Sequence, residues 1–399
     1  MSTRNRIRVD VAIVGGGVAG LWLLNVLRTR GYSAVLVERS AFGDGQTICS
    51  QGMIHGGLKY ALGGSFTTAA EAIAAMPQRW RKNLAGDGDV DLRGVEVLSD
   101  RYYLWTANDS TLGQLGVFLA SKLLRGRAKR LERPEFPEPF ADTAFNGAVY
   151  ELDELVIDAA SLLGHLAETH RAYTLCGDVG RDQLIRNDDG TLDSIRLPHA
   201  EIVAKRYVLS AGAGNEGIIA DLAASATTRF PSMQRRRLHQ VIVRAPRLPP
   251  LYAHCIDQLA YTEPRLTITS HVDARGERVW YVGGHLATGG IDRNGDAHAR
   301  FARNELTECL PWIDLSNARY ESLHVDRAEP AQPGGRRPDE AFVQTVANVL
   351  ICWPTKLTLA PDLGDKVLAA LAHPPSLQPA TPVSSNAAAP GVATPPWNR

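Results

Sequence analysis

The chain has 399 residues, 44% of them hydrophobic, and its 43 Lys plus Arg balance 43 Asp plus Glu. That length exceeds what one hydrophobic core serves, so two domains are expected, and the balanced charge gives no global field for nucleic acid or anionic membrane. No apolar run reaches spanning length and MSTRNRIRVD lacks a leader-like apolar stretch, so a cytoplasmic protein is expected, with at most peripheral contact at the inner face of a membrane.

In chain order, Val11 to Val14 form an apolar β-type run, and Gly15, Gly17 and Gly20 follow in G-x-G-x-x-G spacing. A helical pattern runs to Arg30, Gly31 stops it, and Ala34 to Val37 form a second apolar strand ending at Glu38. Strand, helix, strand and terminal acid together form a βαβ dinucleotide fingerprint. Gly15 permits the tight turn, Gly17 lets a pyrophosphate approach the backbone, and Gly20 lets helix and strand pack closely. The helix N-terminus offers N–H groups to phosphate. Glu38 suits ribose hydroxyls and repels a 2′-phosphate, which argues against NADP and leaves NAD or FAD. A fingerprint this early, followed by most of the chain, points to FAD.

Ser40 to Gly64 is dense in glycine and small polar residues, as backbone that follows a ligand closely would be. Ser65 to Leu84 has helical periodicity, Gly94 to Thr106 reads as strands, and Arg130 to Phe145 as an extended linker. Val156 to His170 reads as a helix with Asp158 as N-cap. Strands follow at Ala172 to Val179, Gln183 to Arg196 and Ile202 to Ser210, the last ending in Ala211-Gly212-Ala213-Gly214, a second place for backbone to meet a dinucleotide. Leu238 to Arg244, Leu266 to His271 and Arg278 to Gly284 suggest an antiparallel sheet. The basic clusters Arg125 to Arg130 and Arg235 to Arg237 read as solvated helix or loop surface. A helix over Ala299 to Leu310, a strand over Val349 to Trp353 and a helix over Asp362 to Leu371 complete the pattern. From His373 the chain is rich in Pro, Ala, Ser and Thr, and a disordered tail is expected over 373–399. Cys49, Cys176, Cys255, Cys309 and Cys352 are scattered without C-x-x-C, which argues against a disulfide framework or structural zinc. Cys49 and Cys352 lie beside the motifs described next.

Met53-Ile54-His55-Gly56-Gly57-Leu58-Lys59-Tyr60-Ala61 resembles the I-H-G-G-L-R-Y segment of flavin-dependent glycerol-3-phosphate dehydrogenases and the matching segment of L-2-hydroxyglutarate dehydrogenases. Pro354-Thr355-Lys356-Leu357-Thr358 resembles their G-G-K-L-T signature, and Leu359-Ala360-Pro361 the L-A-P turn of glycine oxidases. Together these resemble the D-amino-acid oxidase superfamily over roughly residues 8–371. The resemblance implies an α/β fold. A Rossmann-like FAD-binding domain with a mixed sheet would take residues 8–80, 150–230 and 325–371, and an antiparallel α+β substrate domain residues 81–149 and 231–324. It implies a cofactor set of Gly15, Gly17, Gly20, Glu38, Arg39, Gln46, Thr47, Ser50, Gly52, Val179, Gly212, Leu357 and Thr358. His55, Lys356 and His271 are the catalytic candidates, His55 as flavin neighbour or proton acceptor. His285, on the same presumed sheet, is weaker. Lys59, Tyr60 and Arg327 are the substrate-binding candidates, with Arg337 a looser match.

The chemistry needs a carbon near flavin N5, a proton acceptor and a cation for an anionic end of the substrate. Lys59 stands where the family has arginine and lacks its bidentate fork, and Pro354-Thr355 replaces Gly-Gly. A hydroxy acid or amino acid carboxylate therefore fits Lys59, Arg327 and Lys356 at least as well as glycerol 3-phosphate. The expectation is FAD-dependent oxidation of a CH–OH group on a small anionic substrate, with a quinone, an electron carrier or oxygen as acceptor, and no metal or nucleic acid. Oxidation of an amino acid or secondary amine on the same fold, and a flavin-binding partner protein without turnover, are the alternatives.

Overall fold

The computed structural model describes residues 5–57, 73–106, 128–224, 228–256, 263–375, 382–383 and 390–399. Strand β1 (Asn5–Val14), helix α1 (Val18–Thr29) and strand β2 (Ala34–Glu38) form the opening βαβ unit. β1 pairs in parallel with β2 on one edge and with Ala200–Leu209 on the other. A parallel strand covered on both faces reads as a continuous apolar run, and Val9 to Val14 are buried throughout. Alternation splits that run. Val11 and Ile13 pack with α1 and the helices Ala159–Thr169 and Ala360–Ala370, whereas Ala12 and Val14 face the helix Asn215–Ala223.

Among the described residues this first sheet has eight strands. Ala200–Leu209 is its hub: beyond β1, its start pairs with Leu192–Arg196 and its end in parallel with Val349–Trp353. A second eight-stranded sheet runs in the order Arg319–Pro330, Met233–Arg244, Arg278–Gly283, Leu266–Val272, Ala253–Cys255, Tyr102–Trp105, Val149–Leu152, Ala128–Arg130. All its pairings are antiparallel except Ala253–Cys255 with Tyr102–Trp105. One face packs Trp280, Val282 and Val241 against the helix Gly295–Cys309 and an aromatic group that includes Phe140, Phe145 and Trp312. The other face carries Gln240 and Tyr281, and the Tyr281 hydroxyl donates to the carbonyl of Cys49 at 3.0 Å. A three-stranded sheet of Met53–Ile54, Leu155–Ile157 and Val97–Ser99 lies between.

Several sequence expectations change. Asp158 caps its helix as expected, accepting from Ser161 N at 2.6 Å, but Leu155 to Ile157 before it are a strand. The supposed linker before Phe145 buries Phe140 and Phe145 completely. Arg235 to Arg237 lie on a strand, not a helix or loop. Arg235 pairs with Glu216 and Asp326, and Arg236 with Glu329, so their charges are met by an adjoining helix and the neighbouring strand. Of the other basic cluster, Ala128–Arg130 is a strand and the rest lies outside the described residues. The disordered-tail expectation fails for residues 390–399. Phe42 N donates to Gly391 O and Ala393 N to Phe42 O, and Trp397 is 4% exposed. Pairing with Phe42 and one large buried aromatic supply the ordering that composition alone does not reveal.

Candidate active site

A cleft of about 550 Å³ opens where the carboxyl ends of β1 and Ala200–Leu209 meet the second sheet. At one end its wall is backbone. Gly15 has φ 103°, and a Cβ there would lie 2.5 Å from Ala211 Cα. A Cβ on Gly16 would lie 2.6 Å from the Phe42 ring. A Cβ on Gly20 would collide with the Gly15 carbonyl, so Gly20 serves helix–strand contact and does not line the cleft. Gly17 is the N-cap of α1 and contributes no side-chain cap, and Val18 N donates to Thr47 Oγ1 at 3.2 Å. Uncapped N–H groups at the positive end of a helix are a site for phosphate. Glu38 accepts from Gly16 N at 2.6 Å and from Ser40 N at 3.0 Å. A carboxylate has about four acceptor positions, so capacity remains for ribose hydroxyls. Arg39, Gln46, Thr47, Ser50, Gly52, Val179 and Gly212 line the same cleft. Gln46 also accepts from Ala328 N at 3.0 Å, tying the loop to the strand Arg319–Pro330. Cys49 and Cys352 line the cleft as well, and burial pushes both thiols above their usual range.

At the other end the wall is side chains. His55, Arg327, Arg337, Lys356, Leu357 and His324 converge from segments far apart in the sequence. His55 is 6% exposed, and its carbonyl accepts from Thr358 Oγ1 at 3.2 Å. Thr358 itself is fully buried and absent from the cleft wall, so it supports His55 from behind. Thr355 holds a left-handed φ of 61°, a conformation glycine adopts freely. The bend brings Lys356 N within 2.7 Å of Pro354 O and turns Lys356 into the cleft. Its side chain is 2% exposed, with Nζ 3.2 Å from Asp339 O and 3.7 Å from Asp339 Oδ1. Arg327 Nη2 donates to Thr355 O at 3.3 Å.

These two ends fit FAD: glycines at positions where a Cβ would strike neighbouring backbone or the Phe42 ring, a helix N-terminus whose N-cap glycine supplies no side chain, a carboxylate beside them, and a cleft continuing to polar side chains. The sequence profile of the DAO family, described as FAD dependent oxidoreductase, matches residues 10–347. The chain belongs to this family. A Pseudomonas aeruginosa protein named "Probable FAD-dependent oxidoreductase PA4991" is 47% identical over 366 residues, 92% of this chain and 91% of that protein. The crystal structure of PA4991 superposes with a TM-score of 0.84 at 40% identity, covering 99% of both chains. A Mycoplasma pneumoniae L-α-glycerophosphate oxidase with FAD bound (TM-score 0.66, 15% identity, 98% of both chains) shares the fold. So does a Chelativorans iminodiacetate oxidase (TM-score 0.66, 15% identity, 93% of this chain and 97% of that one). The chain is a FAD-dependent oxidoreductase, and no helix among its described residues is long and apolar enough to cross a membrane.

The flavoenzyme's structure does not bring every expected site residue together. Lys59 and Tyr60 lie outside the described residues. His271 does not line the cleft. It is buried under Trp397, whose ring stacks on it at 3.8 Å, and burial lowers its pKa to about 3, so it is no proton acceptor near neutrality. His285 opens a short helix beside Glu263, 3.7 Å away, and is also off the cleft. Sequence reasoning missed His324, Gln240 and Leu238, which line the cleft from the second sheet. The signal for His324 was its place three residues before Arg327 on one strand. The register sets His324 opposite His239, and their rings stack at 3.9 Å.

Proposed function

We propose that this FAD-dependent oxidoreductase oxidises a CH–OH group of a small anionic substrate, a 2-hydroxy acid or a glycerol-phosphate-like molecule. The observation that supports this most is Lys356, an ammonium with a 2% exposed side chain in the cleft wall. Arg327 and Arg337 lie in the same wall. A cationic, water-poor pocket end favours a carboxylate or phosphate, because charge pairs strengthen as solvent is excluded. FAD supplies a two-electron acceptor for the hydride leaving the substrate carbon. The cations hold the anionic group and so orient the carbon. The His55 imidazole accepts the hydroxyl proton as the carbonyl forms. Arg39, Gln46, Thr47, Ser50, Gly52, Val179, Gly212 and Leu357, together with Gly15, Gly17 and Glu38, form the proposed cofactor wall.

The test is anaerobic bleaching of the flavin band with hydroxy acids, glycerol phosphate and amino acids. Bleaching by a hydroxy acid or glycerol phosphate, lost in Lys356→Ala with FAD retained, is the expected result. Bleaching by amino acids or secondary amines alone, with peroxide released in air, replaces the proposal by C–N oxidation. Bleaching by nothing in the panel sinks it in favour of a binding protein without turnover.

A further inference from the structure

We infer that residues 391–399 are a working part of the FAD site: a clasp that positions the loop of residues 40–52, which lines the cleft, and sets how slowly FAD leaves. The argument starts at Phe42. Its backbone bridges Val392 in parallel, with hydrogen bonds of 2.7 Å to Gly391 O and 3.0 Å from Ala393 N. Its ring is fully buried, 2.6 Å from where a Gly16 Cβ would stand. The next residue, Gly43, donates to Gly16 O at 2.9 Å. Gly391 to Ala393 therefore hold the residue that seats the turn of the nucleotide fingerprint.

The same segment then crosses to the second sheet. The Trp397 ring stacks on His271 at 3.8 Å with a 19° interplanar angle and meets Tyr281 edge-on at 5.5 Å. Arg244 Nη2 donates to Trp397 O, and Ala274 N to Asn398 Oδ1, both at 2.7 Å. Tyr281 is itself a junction: its hydroxyl donates to Cys49 O at 3.0 Å and also lies within hydrogen-bond reach of the Gln240 side-chain amide, while Gln51 Nε2 donates to Tyr281 O and Thr267 O at 3.0 Å. Cys49, Gln51 and Gln240 all line the cleft. One nine-residue segment thus ties the fingerprint side of the loop to the sheet side. Arg399 closes it: the residue lines the cleft, and its Nη2 lies 3.9 Å from Asp44 Oδ1. A guanidinium there adds positive charge to a wall that receives an anionic dinucleotide.

FAD release is the readout. Holoprotein is diluted into buffer with a flavin scavenger, and the return of free-flavin fluorescence gives the off-rate; apoprotein melting is followed separately. Binding differences between related complexes appear mainly in off-rates, so Trp397→Ala is expected to speed release roughly tenfold or more. Trp397→Phe, which keeps an aromatic on His271, restores most of the retention. Arg399→Ala speeds release by a smaller factor that shrinks at high salt, as a solvent-exposed charge requires. If Trp397→Ala does not fold, Trp397→Phe and Arg399→Ala still decide the matter. Release at the wild-type rate in Arg399→Ala and in every Trp397 variant that folds overturns the clasp. So does a Trp397→Ala protein whose apo form melts early while its FAD leaves no faster.

Discussion

At its nucleotide end much of the cleft wall is backbone: glycines without room for a Cβ and helix N–H groups beside the Glu38 carboxylate, drawn largely from one βαβ unit, with Arg39, Gln46, Thr47, Ser50, Val179 and Gly212 added by neighbouring segments. At its far end it is side chains: His55, His324, Arg327, Arg337 and Lys356, drawn from four separated stretches of chain. The first construction recognises what every dinucleotide shares. The second, on the proposed function, would hold the anionic end of the substrate. Substitutions at the two ends should therefore fail differently, and that difference can be attacked directly.

The largest effect is expected from Gly20→Ala. The added methyl meets the Gly15 carbonyl, which is backbone and cannot move aside. A loss of about 3 kcal/mol or more is expected, with protein that melts early and holds little flavin. Normal flavin content in this variant would break the account of the cradle. Next is Lys356→Ala, for which substrate-driven reduction should fall about 10²-fold, the scale of losing a desolvated charge contact, with bound FAD unchanged. Glu38→Gln retains an acceptor but removes the charge facing Gly16 N and Ser40 N. Its FAD affinity, measured by titration of apoprotein, should fall about tenfold.

Legibility followed the same division. The βαβ unit was readable because its signals are local: β1 is apolar on both faces, Gly31 stops α1, and Glu38 ends β2. The strand Arg319–Pro330 was not read. It pairs along its full length with Met233–Arg244, and it carries the charged residues Glu321, Asp326 and Arg327, which meet partners on other elements. Apolar alternation is absent from such a strand, so no period-2 pattern marks it. The site residues it carries, His324 and Arg327, become neighbours of His55 and Lys356 only through tertiary structure. Residues 390–399 were misread for a related reason. Their order comes from Phe42 and His271, more than a hundred positions away, and composition records chiefly the prolines and alanines of the tail.

The smallest expected effect concerns acid. Burial lowers His271 to about 3 and His298 to about 4, from 6.5. A histidine depressed in the folded state binds fewer protons folded than unfolded between those values. Its contribution is intact above about pH 6.5 and is lost as pH falls through that window, by at most about 1.4 kcal/mol per unit for the fully buried His271. Melting at pH 5 should therefore lie below melting at pH 7.5, and His271→Phe, which keeps a ring under Trp397, should narrow the gap. An equal gap in that variant would remove His271 from the explanation.

The most direct measurement of the central claim pairs Glu38→Gln with Lys356→Ala, scoring FAD affinity and anaerobic flavin reduction by the same substrate. The account predicts a crossing: Glu38→Gln binds FAD weakly yet reduces normally once saturated, and Lys356→Ala binds FAD normally yet is reduced about 10²-fold more slowly. Parallel losses of both properties in both variants would contradict it.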